Sequence, residues 1–154
     1  MKKRVRKFAA EIISDSFPSL RGKNILYIIT WFRFYALSIL VPPAFRIIVI
    51  SKRTTNFSDD VIKGILAHEL CHQERYLEMG TRRYLRFAIR FLFSRKAQAE
   101  EEKATDRLTV EKGYGRFLYE VTLLALNDRN HRKINDNYLS PEEIKAYSES
   151  LGKW

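Results

Sequence analysis

A single cysteine, Cys71, excludes an internal disulfide, so this chain is held together by noncovalent packing. The lone thiol is compatible with a reducing compartment without establishing one, and the expected location is cytoplasmic. Glycine and proline are also sparse, six and four among 154 residues, which excludes collagen-like and low-complexity architectures. Long apolar runs are nearly absent. The stretch from Ile25 to Val41 only just reaches the lower limit for a spanning helix, about 17 residues, and Arg33 interrupts it. A central arginine costs about 2.5 kcal/mol or more on insertion, and the stretch is rich in Ile, Tyr, Trp and Phe and ends at Pro42 and Pro43. It is expected to form soluble sheet, with membrane insertion as the rival reading. No secretory signal is expected, because the apolar region starts late and lacks a small-residue cleavage site.

Histidine is scarce as well, and two of the three fall in one pentapeptide: His68, Glu69, Leu70, Cys71 and His72 spell H-E-x-x-H. On a helix the two imidazoles lie about 40° apart on one face, so both can reach a single ion, with Glu69 on the flank. An ion held by three protein ligands keeps a position for water and lowers that water's pKa toward roughly 7. A neighbouring carboxylate can take the proton and deliver it to a leaving amine. His68 and His72 are therefore expected to bind one Zn2+ per chain, and Glu69 to act as general base. Cys71, about 60° from His68 on the side away from His72, is expected to pack in the core rather than ligate.

The stretch A-E-E-E-K-A-T-D-R-L, from Ala99 to Leu108, supplies the third ligand in this reading. Glu102 and Asp106 are four apart and share a helix face. Glu102 would ligate, and Asp106 would accept the free ring N–H of a ligand histidine and fix its tautomer. Glu100 and Glu101 compete for the ligand role on spacing alone. A solvated acidic face paired with Lys103 and Arg107 is the rival explanation of the whole stretch.

H-E-L-C-H followed by E-K-A-T-D-R-L resembles the gluzincin metallopeptidases, in which a glutamate on a second helix completes the zinc site. Within that class the pattern is similar to the minigluzincins, small soluble prokaryotic peptidases akin to the catalytic domains of membrane-embedded prenyl-protein and stress-response peptidases. The likeness covers about Ala44 to Leu126, including the R-I-I-V-I segment ahead of the metal helix and G-Y-G-R-F-L at Gly113 to Leu118. It implies a zinc endopeptidase acting on unfolded or extended polypeptide. It also implies latency imposed by a C-terminal segment, within one molecule or across a homodimer; here that segment would run from about Tyr138 to Trp154. Thr105 departs from the family's usual alanine and, being nearly isosteric with valine, is expected to affect packing more than chemistry. Metzincins are a poorer match, since position 78 is Glu78 where they need a third histidine. His131 reads as a solvated side chain, with a hydrogen-bond donor beside the metal as its rival role.

Along the chain, Val5, Phe8, Ala9, Ile12 and Ile13 predict an amphipathic helix over 2–16, ending before Pro18. Strands are expected near 24–32, 34–40 and 44–52. Ser58 is the expected N-cap of the metal helix and Gly80 its stop signal, with further helices over 81–93, 96–112 and beyond Gly115. Ser140-Pro141-Glu142-Glu143 spells a capping box for a helix from Pro141 to about Leu151. The fold class that follows is α+β, a small twisted sheet of about three strands against a helical core. One domain, 1–154, is expected, able to bury about two-thirds of its unfolded surface.

Acidic residues are the minority, 18 against 28 lysines and arginines, for a net charge of +10. Arg82, Arg86 and Arg90 form an i, i+4 stripe beside Tyr84, Leu85, Phe87, Ile89, Phe91 and Leu92. Such a surface suits an anionic membrane; the favoured reading is that the aromatics are core and the arginines solvated, roofing the cleft. Nucleic acid is the weaker partner because no nucleic-acid-binding module accompanies the charge. The alternative function is accordingly a basic membrane-surface or nucleic-acid-binding protein with a non-catalytic metal site.

Overall fold

Helix α1 (Lys2–Ser16) forms because Val5, Phe8, Ala9 and Ile12 share one face at helical spacing, and all four are buried. It stops at Phe17, since a residue ahead of proline is driven out of the helical region and Pro18 follows. The computed structural model describes residues 1–42, 45–128 and 135–154. Three strands come next: β1 (Ile25–Thr30), β2 (Ala36–Val41) and β3 (Phe45–Ser51). β3 is central, parallel to β1 and antiparallel to β2. The Ile25–Val41 stretch is thus two strands and their connection. Period-two alternation turns Tyr27, Ser38, Leu40, Ile48 and Ile50 inward, as one-sided burial of a sheet requires. Among the described residues no helix is long and apolar enough to cross a membrane. Pro43, one of the two prolines expected to end the stretch, lies outside the described residues.

Helix α2 (Asp59–Phe93) occupies the centre of the molecule. Ser58 caps it, its hydroxyl accepting from the Val61 N–H at 3.3 Å, and Asp59 and Asp60 lie in the first turn, where the helix dipole favours negative charge. Gly80 takes φ 66° and ψ 167°, which ends the first segment and starts the expected helix over 81–93; the positive φ favours glycine there. Ile62, Leu66, Ala67 and Leu70 pack with α1 and the sheet in one apolar cluster. The fully buried Gln73 ties helix to sheet, donating through Nε2 to the Ile39 carbonyl at 3.2 Å and the Ile47 carbonyl at 3.3 Å.

Helix α3 (Arg95–Thr109) starts on a Ser94 cap and ends at Thr109 rather than at 112. There the chain widens into a π turn, Val110–Tyr114, in which Gly113 takes φ 91°. Helix α4 (Gly115–Asn127) crosses α2 so closely that a Cβ on Gly64 would fall on the Phe117 carbonyl. Helix α5 (Pro141–Ser150) begins with the expected capping box, Ser140 N–H to Glu143 at 2.8 Å and Glu143 N–H to Ser140 at 3.2 Å. The architecture is α+β, a three-stranded mixed sheet with one face against helices.

Candidate metal centre

Helical spacing sets the first two donors. His68 and His72, one turn apart on α2, are both buried and both aim Nε2 at Glu102 of α3. The distances to Glu102 Oε2 are 3.1 Å from His68 and 3.4 Å from His72. Ligand atoms of all three residues lie within 4.8 Å of one another, close enough for one ion to join them. Of the three neighbouring glutamates, α3 thus turns Glu102 toward the histidines. Glu101 forms a two-pronged pair with Arg75 at 2.9 and 2.7 Å, and Glu100 lies at the surface beside Arg90 and Lys96.

The outer nitrogens of the two imidazoles are engaged as well. His68 Nδ1 lies 2.9 Å from Asp106 Oδ1, the partnership anticipated from the sequence. Around His72 Nδ1 stand Thr105 Oγ1 at 3.3 Å and Glu101 Oε1 at 3.5 Å. Thr105, expected to matter for packing, is fully buried and also touches a candidate ligand. Neither contact of His72 was anticipated, although the residues adjoining Glu102 and Asp106 on α3 were the natural ones to test.

Glu69 stands on the flank of the same helix turn, buried, and its Oε2 has no hydrogen-bond partner among the described residues. A buried acceptor left open beside three convergent donors is where an ion-bound water would be received. Two imidazoles and a carboxylate also form the donor set that suits zinc. The residues therefore fit the metal that the sequence pattern implies.

Electrostatics agree. Burial would lower the pKa of His68, but Asp106 and Glu102 raise it well above the ordinary histidine value. For His72 the same contest, burial against Glu102 and Glu101, ends at about 9. Burial would raise Glu102, yet the two histidines hold it well below the usual carboxylate range. Glu69 moves up, driven by burial and opposed by both histidines. Glu69, Glu101, Glu102 and Asp106 together make a pocket that favours positive charge. Cys71 takes no part: its buried thiol, 3.4 Å from Thr109 Oγ1, is pushed up to about 12 by burial.

No family model, curated protein or solved structure matches this chain.

The donors open onto a cleft of about 970 Å³ between β2, the 81–93 segment of α2, and α4. Its sheet side is an edge strand. Leu40 N–H donates to the Tyr84 hydroxyl at 3.2 Å, away from β3, whereas the Tyr35 carbonyl accepts from Ser51 N–H at 2.9 Å. By strand alternation, Ala36 and Ser38 also turn their main-chain groups away from β3. Ser38 couples this edge to the metal helix, its hydroxyl donating to the Glu69 carbonyl at 2.7 Å.

Residues ahead of α5 reach the same place. The Tyr138 ring lies 6.0 Å from the His68 ring, and Leu139 N–H donates to Asp106 Oδ2 at 2.9 Å. Burial, then the carboxylates of Glu102 and Asp106, raise the Tyr138 phenol well above its ordinary value and keep it neutral. Tyr76, stacked on His72 at 5.7 Å, is a further neighbour that its place one turn beyond that histidine could have revealed. His131 lies outside the described residues.

Proposed function

We propose that this protein is a zinc-dependent endopeptidase of the gluzincin type, its chain forming one metallopeptidase domain that works in the cytoplasm. His68, His72 and Glu102 hold the ion, and Glu69 is the general base. The observation that carries the reading is the convergence of three donor atoms beside the unpartnered, buried Glu69 Oε2. Zinc held there supplies a Lewis acid for a scissile carbonyl and an acidified water. Glu69 would accept a proton from the attacking water and return it to the leaving amine; burial, which raises its pKa, suits it to both tasks. Asp106 holds His68 in the tautomer that leaves Nε2 free to ligate. An extended polypeptide lies along β2 and pairs with the outward main-chain groups of Ala36 and Ser38.

The same reading makes the chain latent. Tyr138 and Leu139 occupy the approach to His68 and Asp106, which supports a plug formed by residues from about 138 to 154 of the same molecule. Exchange of this segment across a homodimer is the variant that size measurements would reveal.

Metal content by elemental mass spectrometry tests the reading, with His72→Ala, Glu102→Ala and Glu69→Gln measured beside the parent. One zinc per chain is expected in the parent and in Glu69→Gln, and none in the other two. Cleavage of an unstructured protein by a tail-opened form should fall by about 10²–10⁴ in Glu69→Gln. Zinc without any Glu69-dependent cleavage would leave a non-catalytic metal site, and failure to take up zinc would end the peptidase reading.

A further inference from the structure

The segment of α2 beyond Gly80 is amphipathic in an unusual sense, because its outward face is apolar. Leu85, Ile89, Leu92 and Phe93, spaced i, i+4, i+7 and i+8, are 49%, 62%, 71% and 86% exposed. Tyr84, Phe87 and Ala88 face inward, clustering with Leu40 and Tyr76, so the helix already has its share of core. A surface helix normally turns polar residues to water. Here the charged component is arginine alone. From Met79 to Ala99 the chain has no carboxylate, while Arg82, Arg83, Arg86, Arg90, Arg95 and Lys96 all fall in that span. Only Arg90 and Lys96 find an acidic partner among the described residues, and for both it is Glu100.

The apolar stripe also joins the cleft. Leu92 lines the cleft together with Phe34, Leu37 and Leu126, and these three are 40%, 42% and 44% exposed. The cleft mouth thus has an apolar rim that continues along the helix between arginines. We propose that the outer face of the 81–93 segment docks this protein in the plane of an anionic bilayer and brings the cleft mouth to the lipid surface. Arginines bind lipid phosphates at headgroup depth while the leucines, Ile89 and Phe93 enter the acyl boundary, a division of labour typical of interfacial helices. Nucleic acid would meet the arginines but leave the aliphatic stripe in water. A second copy would face this basic patch with another, on a chain already carrying +10. The inference stands apart from the peptidase reading, since it uses none of the metal-centre residues.

Flotation of the full chain with vesicles tests it, using phosphatidylcholine alone or mixed with phosphatidylglycerol. Capture by the anionic vesicles, declining with salt, is expected, with little capture by neutral ones. The pair Ile89→Gln and Leu92→Gln should weaken vesicle binding by about tenfold or more, with unchanged helical circular dichroism and zinc content. Arg82→Gln with Arg86→Gln should weaken binding and flatten its salt dependence. Ile89→Cys carrying an environment-sensitive dye should brighten and shift to the blue on anionic vesicles; Cys71, fully buried, escapes labelling. Undiminished binding by the Ile89/Leu92 pair, or no parent binding to either vesicle, would overturn the proposal. So would a lipid-free dimer broken by the same pair, or DNA binding without vesicle binding.

Discussion

The Leu139 amide donates to Asp106 Oδ2 at 2.9 Å while His68 Nδ1 lies 2.9 Å from the other oxygen of the same carboxylate. One side chain thus contacts both a candidate metal ligand and the segment ahead of α5. Asp106→Asn keeps the shape but removes the charge that both partners use. Zinc affinity, measured by competition with a chelator, should fall about 10–100-fold. Hydrogen exchange at the Leu139 amide should rise in the same variant. A fall in affinity with unchanged exchange would separate the two roles.

Tyr138 is the residue to change if latency is to be tested without dismantling the fold. Tyr138→Ala should raise cleavage of an unstructured protein by about tenfold or more, as expected when a competent state stops being rare. Deleting the whole tail is a blunter test. It removes Leu139 and Ile144 from a cluster with Val110 and Leu118, at a cost of about 2–5 kcal/mol for each large residue. No rise in either variant would leave α5 as a structural element only.

Gly64 marks the crossing of α2 and α4, where an added methyl group would meet the Phe117 carbonyl and the Val121 side chain. Gly64→Ala should destabilise by about 1–3 kcal/mol, read as a melting temperature lower by about 2–4 °C per kcal/mol. Because α2 carries His68 and His72, zinc affinity should weaken in parallel.

Alkaline stability follows from two buried protons. Burial pushes Tyr27 up to about 12 from 10.0 and Cys71 up to about 12 from 9.0. Both pKa values are raised in the folded state, so the stability these groups contribute is complete below their unfolded values and is lost as pH rises through the folded ones. Denaturant midpoints should therefore decline between about pH 9 and 12. Tyr27→Phe and Cys71→Ala should each make that decline shallower.

Local chemistry made much of this molecule legible in advance. α1, the Ser58 cap, the Gly80 break and the Ser140–Glu143 box all follow from residues within one or two turns of each other. His68 and His72 belong to the same class, because helical geometry alone sets them side by side. Asp106 was found through its spacing from Glu102. α3 ends at Thr109 rather than at 112, where a π turn around Gly113 follows and Val110 packs with Leu118 of α4 and Ile144 of α5, contacts distant in sequence.

The sequence by itself determined which residues are candidate metal ligands and, apart from the end of α3, which segments are helix or strand, because those depend on covalent spacing, caps and periodicity. Only the tertiary structure decided that Glu102 meets the Nε2 atoms of both histidines while Glu101 pairs with Arg75 and reaches only the outer nitrogen of His72, since that depends on how α3 is rotated against α2. It alone set β1 and β2 on either side of β3, brought Thr105 to His72, and laid Tyr138 beside His68. These are contacts between residues far apart in the chain. Their geometry is set by how whole elements dock to bury apolar surface, which no short window of sequence contains.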